Sequence, residues 1–324
     1  MDQPSKLLQK FSQSLFADPT ERERFIQALI QPTPFPPCIL WCQDRPPTPP
    51  FAIEPPLPWQ PIFVDRLALG EKPGRHSLHQ AGSFYCLDFS SVFAASPLLG
   101  LPPAPRLVLD LCASPGGKSI FAWTALQPDR LLSNEVIGKR LAPLIANLKR
   151  CQIERTIVLN QDPQDLAIAI PATANVVIVD APCTGQSLLA KGEKAPGCFH
   201  PVSINKNANR QKRVLANAAP IVAPGGYLLY MTCAYSREEN EQVSTWFLTR
   251  FPQFQPVAVP QLSAYQSHLT EQPCYRIWPQ SGQGAGAFTM LFKQTETGEQ
   301  EDLSQEFLTG RRLNFLHFPK TAVE

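Results

Sequence analysis

The chain has 324 residues, of which 44% are hydrophobic, and a formal net charge of +2. This suits a soluble globular protein with a sizeable core, built as one large domain or a main domain with an appendage. No apolar run reaches the roughly 18 residues that span a bilayer, so no membrane segment is expected. A charge this near neutrality does not announce a nucleic-acid binder, and any RNA affinity must reside in local basic clusters.

The nine cysteines are odd in number and form no CxxC pair, so neither a disulfide framework nor a zinc or other metal site is expected. Reduced thiols point to the cytoplasm. The polar N-terminus lacks the apolar stretch of a secretory signal. Nothing in the composition indicates an oligomer, and a monomer is expected.

In chain order, residues 1–30 predict two helices. The first carries Leu7, Leu8, Phe11, Leu15 and Phe16 at helical spacing, and the second is short, around Glu21–Ile30. Between Gln31 and Ile62 lie 12 prolines. They argue against a regular helix or a central strand there and suggest a linker, an extended wrap over another surface, or a proline-rich docking site for a partner.

From Leu107 onward, apolar strand-like runs alternate with helical patterns. The strands are Leu107–Ala113, Leu131–Glu135, Thr156–Asn160, Asn175–Asp180 and Gly226–Thr232. The helices are one after the glycine turn, then Gly138–Arg150, Asn205–Ile221 and Ser236–Arg250, with two closing strands near Cys274–Trp278 and Ala287–Phe292. Such alternation predicts an α/β fold with a doubly wound parallel sheet, helices on both faces, and ligands at the carboxyl ends of the strands. The expected division is 1–62 helical and proline-rich, 63–294 catalytic, and 295–324 a tail without assigned structure.

After the first strand comes Asp110-Leu-Cys-Ala-Ser-Pro-Gly-Gly-Lys-Ser119. It is not a dinucleotide fingerprint, since GxGxxG is absent. It is not a P-loop either, since Cys112 stands where the first glycine belongs. What remains is a glycine turn opening a helix, whose free N–H groups suit a carboxylate as well as a phosphate. S-adenosylmethionine (SAM) carries such a carboxylate. Glu135, at the end of the second strand, can accept from ribose hydroxyls, and Asp162, after the third, can hold an adenine amino group.

The fourth strand ends in Asp180-Ala-Pro-Cys183-Thr-Gly185 and the fifth in Thr232-Cys233. In the predicted topology both thiols and Asp180 meet at one crevice. Methylation of cytosine at C5 needs such a set. A thiolate adds to C6 and makes C5 nucleophilic, and the C5 proton must then be removed before the enzyme can leave. Asp180 suits the exocyclic amine and N3 of the base. By spacing alone Cys183 and Cys233 are interchangeable. Cys86, Cys151 and Cys274 are expected to be structural.

With these residues the sequence resembles the RsmB/Nop/Sun family of SAM-dependent RNA cytosine-C5 methyltransferases. The resemblance runs from about Gly82 to Lys293. It rests on Asp110–Ser119 (DLCASPGGKS), Asn134–Asn147 with Arg140, Asp180–Gly185 (DAPCTG), Gln211, Pro224-Gly225-Gly226, and Thr232–Glu241 (TCAYSREENE). It implies a Rossmann-like class I methyltransferase sheet with Cys233 as nucleophile and Cys183 assisting product release. Cys112, Ala113, Ser114, Pro115, Gly116, Gly117, Lys118, Glu135, Arg140, Asp162 and Asp180 would bind SAM, and Lys118 would also reach the target base. The sequence departs from the family at Tyr85–Asp88, where the usual Gln-Asp pair keeps only the acid. It departs again at residues 186–200 and in the proline-rich region.

Between Lys191 and Arg213 lie Lys191, Lys194, Lys206, Arg210, Lys212 and Arg213 against the single acid Glu193. They are expected to form a phosphate-binding rim, extended by Lys149 and Arg150. The family resemblance favours ribosomal over transfer RNA. Two alternatives belong to other classes: a SAM-dependent methyltransferase of a different acceptor, and a non-catalytic RNA-binding factor for ribosome assembly.

Overall fold

The computed structural model describes residues 3–309 and the backbone of 313–317. Helix α1 (Lys6–Leu15) is capped by Ser5 and α2 (Pro19–Ile30) by Asp18, each accepting a backbone N–H of the first turn. The two helices bury Leu8, Phe11, Leu15, Phe25, Ile26 and Leu29, whereas Leu7, at the same spacing, stays exposed.

Strand β1 (Cys38–Trp41) pairs antiparallel with both β2 (Val64–Arg66) and β3 (Phe84–Cys86). It is thus the middle strand of a three-stranded sheet, and the expectation that prolines preclude a central strand between Gln31 and Ile62 is wrong. The prolines stop at Pro37 and resume at Pro46. The window between them keeps the N–H groups that a ladder needs. Trp41 donates its indole N–H to the buried carboxylate of Asp65 at 2.7 Å, which also receives Arg45. Helices α3 (Ser77–Gln80) and α4 (Phe89–Ala95) follow.

The main sheet then begins with β4 (Leu107–Asp110), α5 (Gly117–Leu126), β5 (Arg130–Asn134), α6 (Leu141–Arg150), β6 (Thr156–Leu159) and α7 (Pro163–Ala169). It continues with β7 (Ala174–Asp180), α8 (Ser187–Ala190), α9 (Pro201–Ala218), β8 (Val222–Thr232) and α10 (Glu241–Arg250). The last elements are β9 (Phe254–Val257), β10 (Tyr275–Ile277), β11 (Ala287–Gln294), α11 (Gln305–Thr309) and β12 (Leu313–His317). The strand order is β10-β11-β8-β7-β4-β5-β6-β12, with β9 paired to β11. Strands β6, β5, β4, β7 and β8 are parallel, and the flanking strands are antiparallel. Strand order reverses between β4 and β7, and there a crevice opens at the carboxyl ends.

Side chains alternate across this sheet. Val108, Ile178, Leu229 and Met231 pack on one face against Phe93, Ile120 and Phe121. Leu109, Val177, Val179, Leu228 and Tyr230 pack on the other face against Leu215 and Phe247. Burial on both sides explains the near-continuous apolar runs. A third cluster ties α1 and α2 to the segments after β7 and β8 and before β11, through Ala190, Ile204, Tyr235 and Ala285.

Helix α9 starts at Pro201, capped by His200, rather than at Asn205. The helix predicted from Ser236 begins only at Glu241, because the preceding side chains are bonded to neighbouring loops. The tail contributes α11 and β12, the latter an antiparallel edge beside β6.

Candidate active site

Asp110 ends β4 fully buried. Its carboxylate accepts from the Ser119 hydroxyl at 2.7 Å and from the Cys112 N–H at 3.3 Å. Burial pushes its pKa up to about 7, against the pull of those bonds. The turn then needs its glycines. Gly116 has φ +114, and a Cβ on Gly117 would lie 2.7 Å from Leu87.

The crevice encloses about 280 Å³. Of the predicted cofactor residues, Cys112, Ser114, Glu135, Arg140, Asp162 and Asp180 line it. Ala113, Pro115, Gly116, Gly117 and Lys118 do not. The glycines shape the turn, and Lys118 faces the other side of Asp180. Glu135 is buried, accepts from Ile137 N–H at 2.8 Å, and lies 3.3 Å from the Arg140 guanidinium. Arg140 also donates to the Ser114 carbonyl at 2.9 Å, and the Ser114 hydroxyl returns a bond to the Arg140 carbonyl. The exposed Asp162 caps α7 by accepting from Gln164 N–H.

Strands β7 and β8 are neighbours, with Asp180 opposite Met231, so their two loops converge. The Cys183 and Cys233 sulfurs lie 3.1 Å apart. The hydrogen bond with Cys183 holds the Cys233 pKa below the ordinary thiol range against burial and the Asp180 carboxylate, and Ser187 and Lys118 assist. The same bond, with burial, drives the Cys183 thiol far up. Cys183 therefore keeps its proton while Cys233 tends to thiolate. Lys118 donates to Asp180 at 2.7 Å and to Ser91 at 3.0 Å. Burial alone would lower the Lys118 pKa, but Asp180 outweighs it and the ammonium persists. Beyond this ion pair lies a second cavity of about 180 Å³, lined by Ser91, Lys118 and Lys191 among others. Asp180 and Cys233 border both cavities.

The group that fastens the two thiol loops is Glu239, which sequence reasoning met only as part of a motif. Its carboxylate accepts from the Thr184 N–H and hydroxyl, the Ser236 hydroxyl and Gln211. Asn240 ties Thr232 to the Ala234 carbonyl. Gln186 accepts from the N–H groups of Tyr235 and Ser236. Two further polar groups matter here: Ser91, which sequence reasoning did not mark and which holds Lys118, and Asp88, the acid kept at the family's Gln-Asp position, which pairs with Lys191 at 2.6 Å. Ser91 has no signal in the sequence beyond its proximity to that position, and the pairing of Asp88 with Lys191 has none.

The basic run does not form one rim. Arg210 and Arg213 line the crevice, Lys191 is paired with Asp88, and Lys212 lies 5.7 Å from the Trp246 ring. Lys194 and Lys206 are exposed. Arg150 is spent on the His79 and Phe84 carbonyls. Cys151 and Cys274 are buried, as expected of structural thiols, and Cys86 is half-buried in β3.

A model of the 16S rRNA methyltransferase RsmB/F family matches residues 99–293, well over half of the chain. The chain belongs to this family. Ribosomal RNA small subunit methyltransferase F of Cronobacter sakazakii is 31% identical over 252 residues, 75% of this chain and 52% of that protein. The protein of the same name from Escherichia coli O9:H4 is 29% identical over 248 residues, 74% of this chain and 52% of its own length. The chain thus spans about half the length of the curated relatives it matches. Among solved structures, a methyltransferase homolog protein from Pyrococcus horikoshii superposes with a TM-score of 0.71 at 20% identity, over 90% of this chain and 95% of that one. NSun6 from Pyrococcus horikoshii with SFG gives 0.71 at 18%, over 90% and 99%. These likenesses are of fold. The RsmB/F match starts at residue 99, so α1, α2 and the three-stranded sheet lie outside it. Among the described residues no helix is long and apolar enough to cross a membrane, and no group of three or more His, Cys, Asp or Glu is arranged to hold a metal ion.

Proposed function

We propose that this chain methylates C5 of a cytosine in RNA, ribosomal RNA rather than transfer RNA, in the cytoplasm, with SAM as methyl donor and Cys233 as nucleophile. One observation carries the proposal. Cys233, held toward thiolate by Cys183, stands between a crevice rich in carboxylates and a second cavity bordered by the Lys118–Asp180 pair.

The crevice suits SAM by its donor set. The helix start after Gly116 offers N–H groups to a carboxylate, the buried Glu135 offers acceptors to a ribose diol, and Asp162 offers one to an adenine amine. SAM, when bound, supplies an electrophilic methyl group. The protein's residues do the rest. The Cys233 thiolate adds to C6 of a cytosine flipped out of its stack, most readily from an unpaired loop. Lys118 and Asp180 present a donor and an acceptor to the polar edge of the base and stabilise the electron-rich ring. Loss of the C5 proton and elimination then free Cys233. Cys183, whose sulfur lies 3.1 Å from that of Cys233, is the proton carrier nearest the bond that breaks.

Cys233→Ser should bind SAM yet transfer no tritiated methyl to RNA. A normal rate in that variant would sink the mechanism. Cys183→Ser should accumulate a covalent protein–RNA adduct, visible as a slow band on a denaturing gel. If the wild-type chain binds RNA and SAM without transfer, the non-catalytic assembly factor is the better account. Label appearing on a protein or small molecule would favour a different acceptor. Bisulfite sequencing of RNA from cells with and without the gene would identify the nucleotide.

A further inference from the structure

Two stretches that depart from the family pattern meet in space. The proline-rich segment, outside the RsmB/F match, lies against the loop after Cys183, and a Cβ on Gly192 would lie 3.7 Å from the Pro32 ring. Between them runs a groove of about 360 Å³. Pro34, Phe35, Gly192, Asp88 and Lys191 are among its lining residues, together with Phe89, whose buried ring stacks on Trp59. The same Asp88 and Lys191 border the cavity that opens on Cys233 and Lys118. Their ion pair, at 2.6 Å with each side chain about a third exposed (29% and 32%), is thus the partition between groove and cavity. Asp88 is itself anchored, since its carboxylate caps α4 through Ser90 N–H.

We infer that this groove binds an unpaired nucleobase, that of the nucleotide adjacent to the cytosine in the Cys233 cavity. The inference rests on the methyltransferase reading. A base drawn out of a stack leaves its neighbour with an exposed apolar face, and the proline rings with the half-buried Phe35 replace the lost stack. The phosphate joining the two nucleotides must cross the partition, where Lys191 supplies the one cation shared by both spaces among their described lining residues. Asp88 holds that ammonium in place and neutralises it until a phosphate arrives. The groove therefore holds the nucleotide next to the target by stacking, largely with residues from the two stretches that depart from the family pattern.

The test uses the full chain with S-adenosylhomocysteine and single-stranded nonamers of uridine with a central cytosine. 2-Aminopurine is placed on the 5′ side in one probe and the 3′ side in the other. One of the two should change its fluorescence on binding. Making that position abasic should weaken binding about tenfold, the usual worth of one stacked base. Thr33→Trp, at an exposed groove position, plugs the groove, and Phe35→Ala removes its ring. Both should bind S-adenosylhomocysteine normally and lose both effects. The proposal is overturned if neither oligonucleotide binds, if the two probes respond alike, if the abasic probe binds as tightly, or if both variants behave as wild type. In any of these cases the groove merely packs or serves a polypeptide. Methyl transfer to the same oligonucleotides separates the two readings. Binding with the expected asymmetry but no transfer sinks the catalytic reading alone. Transfer indifferent to abasic neighbours sinks the groove alone.

Discussion

The hydrogen bond between the two thiols keeps a proton on one sulfur and leaves charge on the other. Spacing along the chain treats Cys183 and Cys233 alike. The bond between them is the main cause of their inequality; Ser187 and Lys118 further support charge on Cys233 against the opposition of Asp180, while Glu239 opposes it on Cys183. Alkylation of Cys233 by iodoacetamide, followed by peptide mass spectrometry, should have a pH midpoint below the roughly 8.5 of a free thiol. Cys183→Ala removes the donor, so the midpoint should rise; an unmoved midpoint would show that Cys183 does not set it. Asp110 gives a second prediction at this scale. Its folded pKa of about 7 lies above the roughly 4 of an unfolded aspartate. Between these values the folded protein keeps a proton that the unfolded chain releases. Stability should therefore fall as pH rises through that window, by at most about 1.4 kcal/mol per pH unit. Asp110→Asn, which can still accept from Ser119, should flatten this slope in urea titrations at pH 5 and 8.

Among the elements, β4 to β8 are legible because burial on both faces makes them apolar runs, with a polar residue of the site at or within three residues of each end. The edges are less legible. β9 contains Pro256 and has only one half-buried face. β1 is hidden among prolines that surround it without interrupting it. Residues 236–240 read as helix because a polar run at a helix start looks like its first turn. In the structure, Ser236, Glu239 and Asn240 are instead bonded to Glu239, Thr184, Thr232 and Ala234. Chemistry types and strand ends are thus visible in sequence, whereas the Asp88–Lys191 and Lys118–Ser91 contacts depend on long-range packing that no local pattern records. The start of α10 carries its own prediction. Glu241 and Arg276 form a buried pair, 4% and 1% exposed, with N–O 2.5 Å, and Arg276 also donates to the Tyr235 carbonyl just after Cys233. Glu241→Ala should cost about 3–5 kcal/mol in denaturant unfolding, because the guanidinium stays buried without a counter-charge. Replacing both partners with methionine should cost clearly less. Equal losses would mean that packing, not charge, dominates there.

For the molecule as a whole, α1 and α2 buttress the site. Phe11 contacts Phe199 with ring centroids 4.9 Å apart, and Phe25 contacts Tyr235 at 5.2 Å, so the hairpin braces both loops that carry the thiols. Removing residues 1–30 should leave the central sheet folded by circular dichroism and able to bind SAM, while methyl transfer to RNA falls at least about tenfold. Full activity in that truncation would show the hairpin to be dispensable.

This bracing also constrains the order in which the chain is made. Within this sequence the hairpin precedes Tyr235, Trp278 and Ala285, which cover it, by some 200 or more residues. At roughly 5–20 residues per second, Phe11, Phe16 and Phe25 travel for ten seconds or longer with little to pack against except one another. The hairpin's apolar face therefore stays only partly covered until the segment carrying Tyr235, Trp278 and Ala285 has been made. The step that buries the hairpin is also the step that sets the thiol loops, so a newly made molecule becomes safe and becomes competent at the same moment.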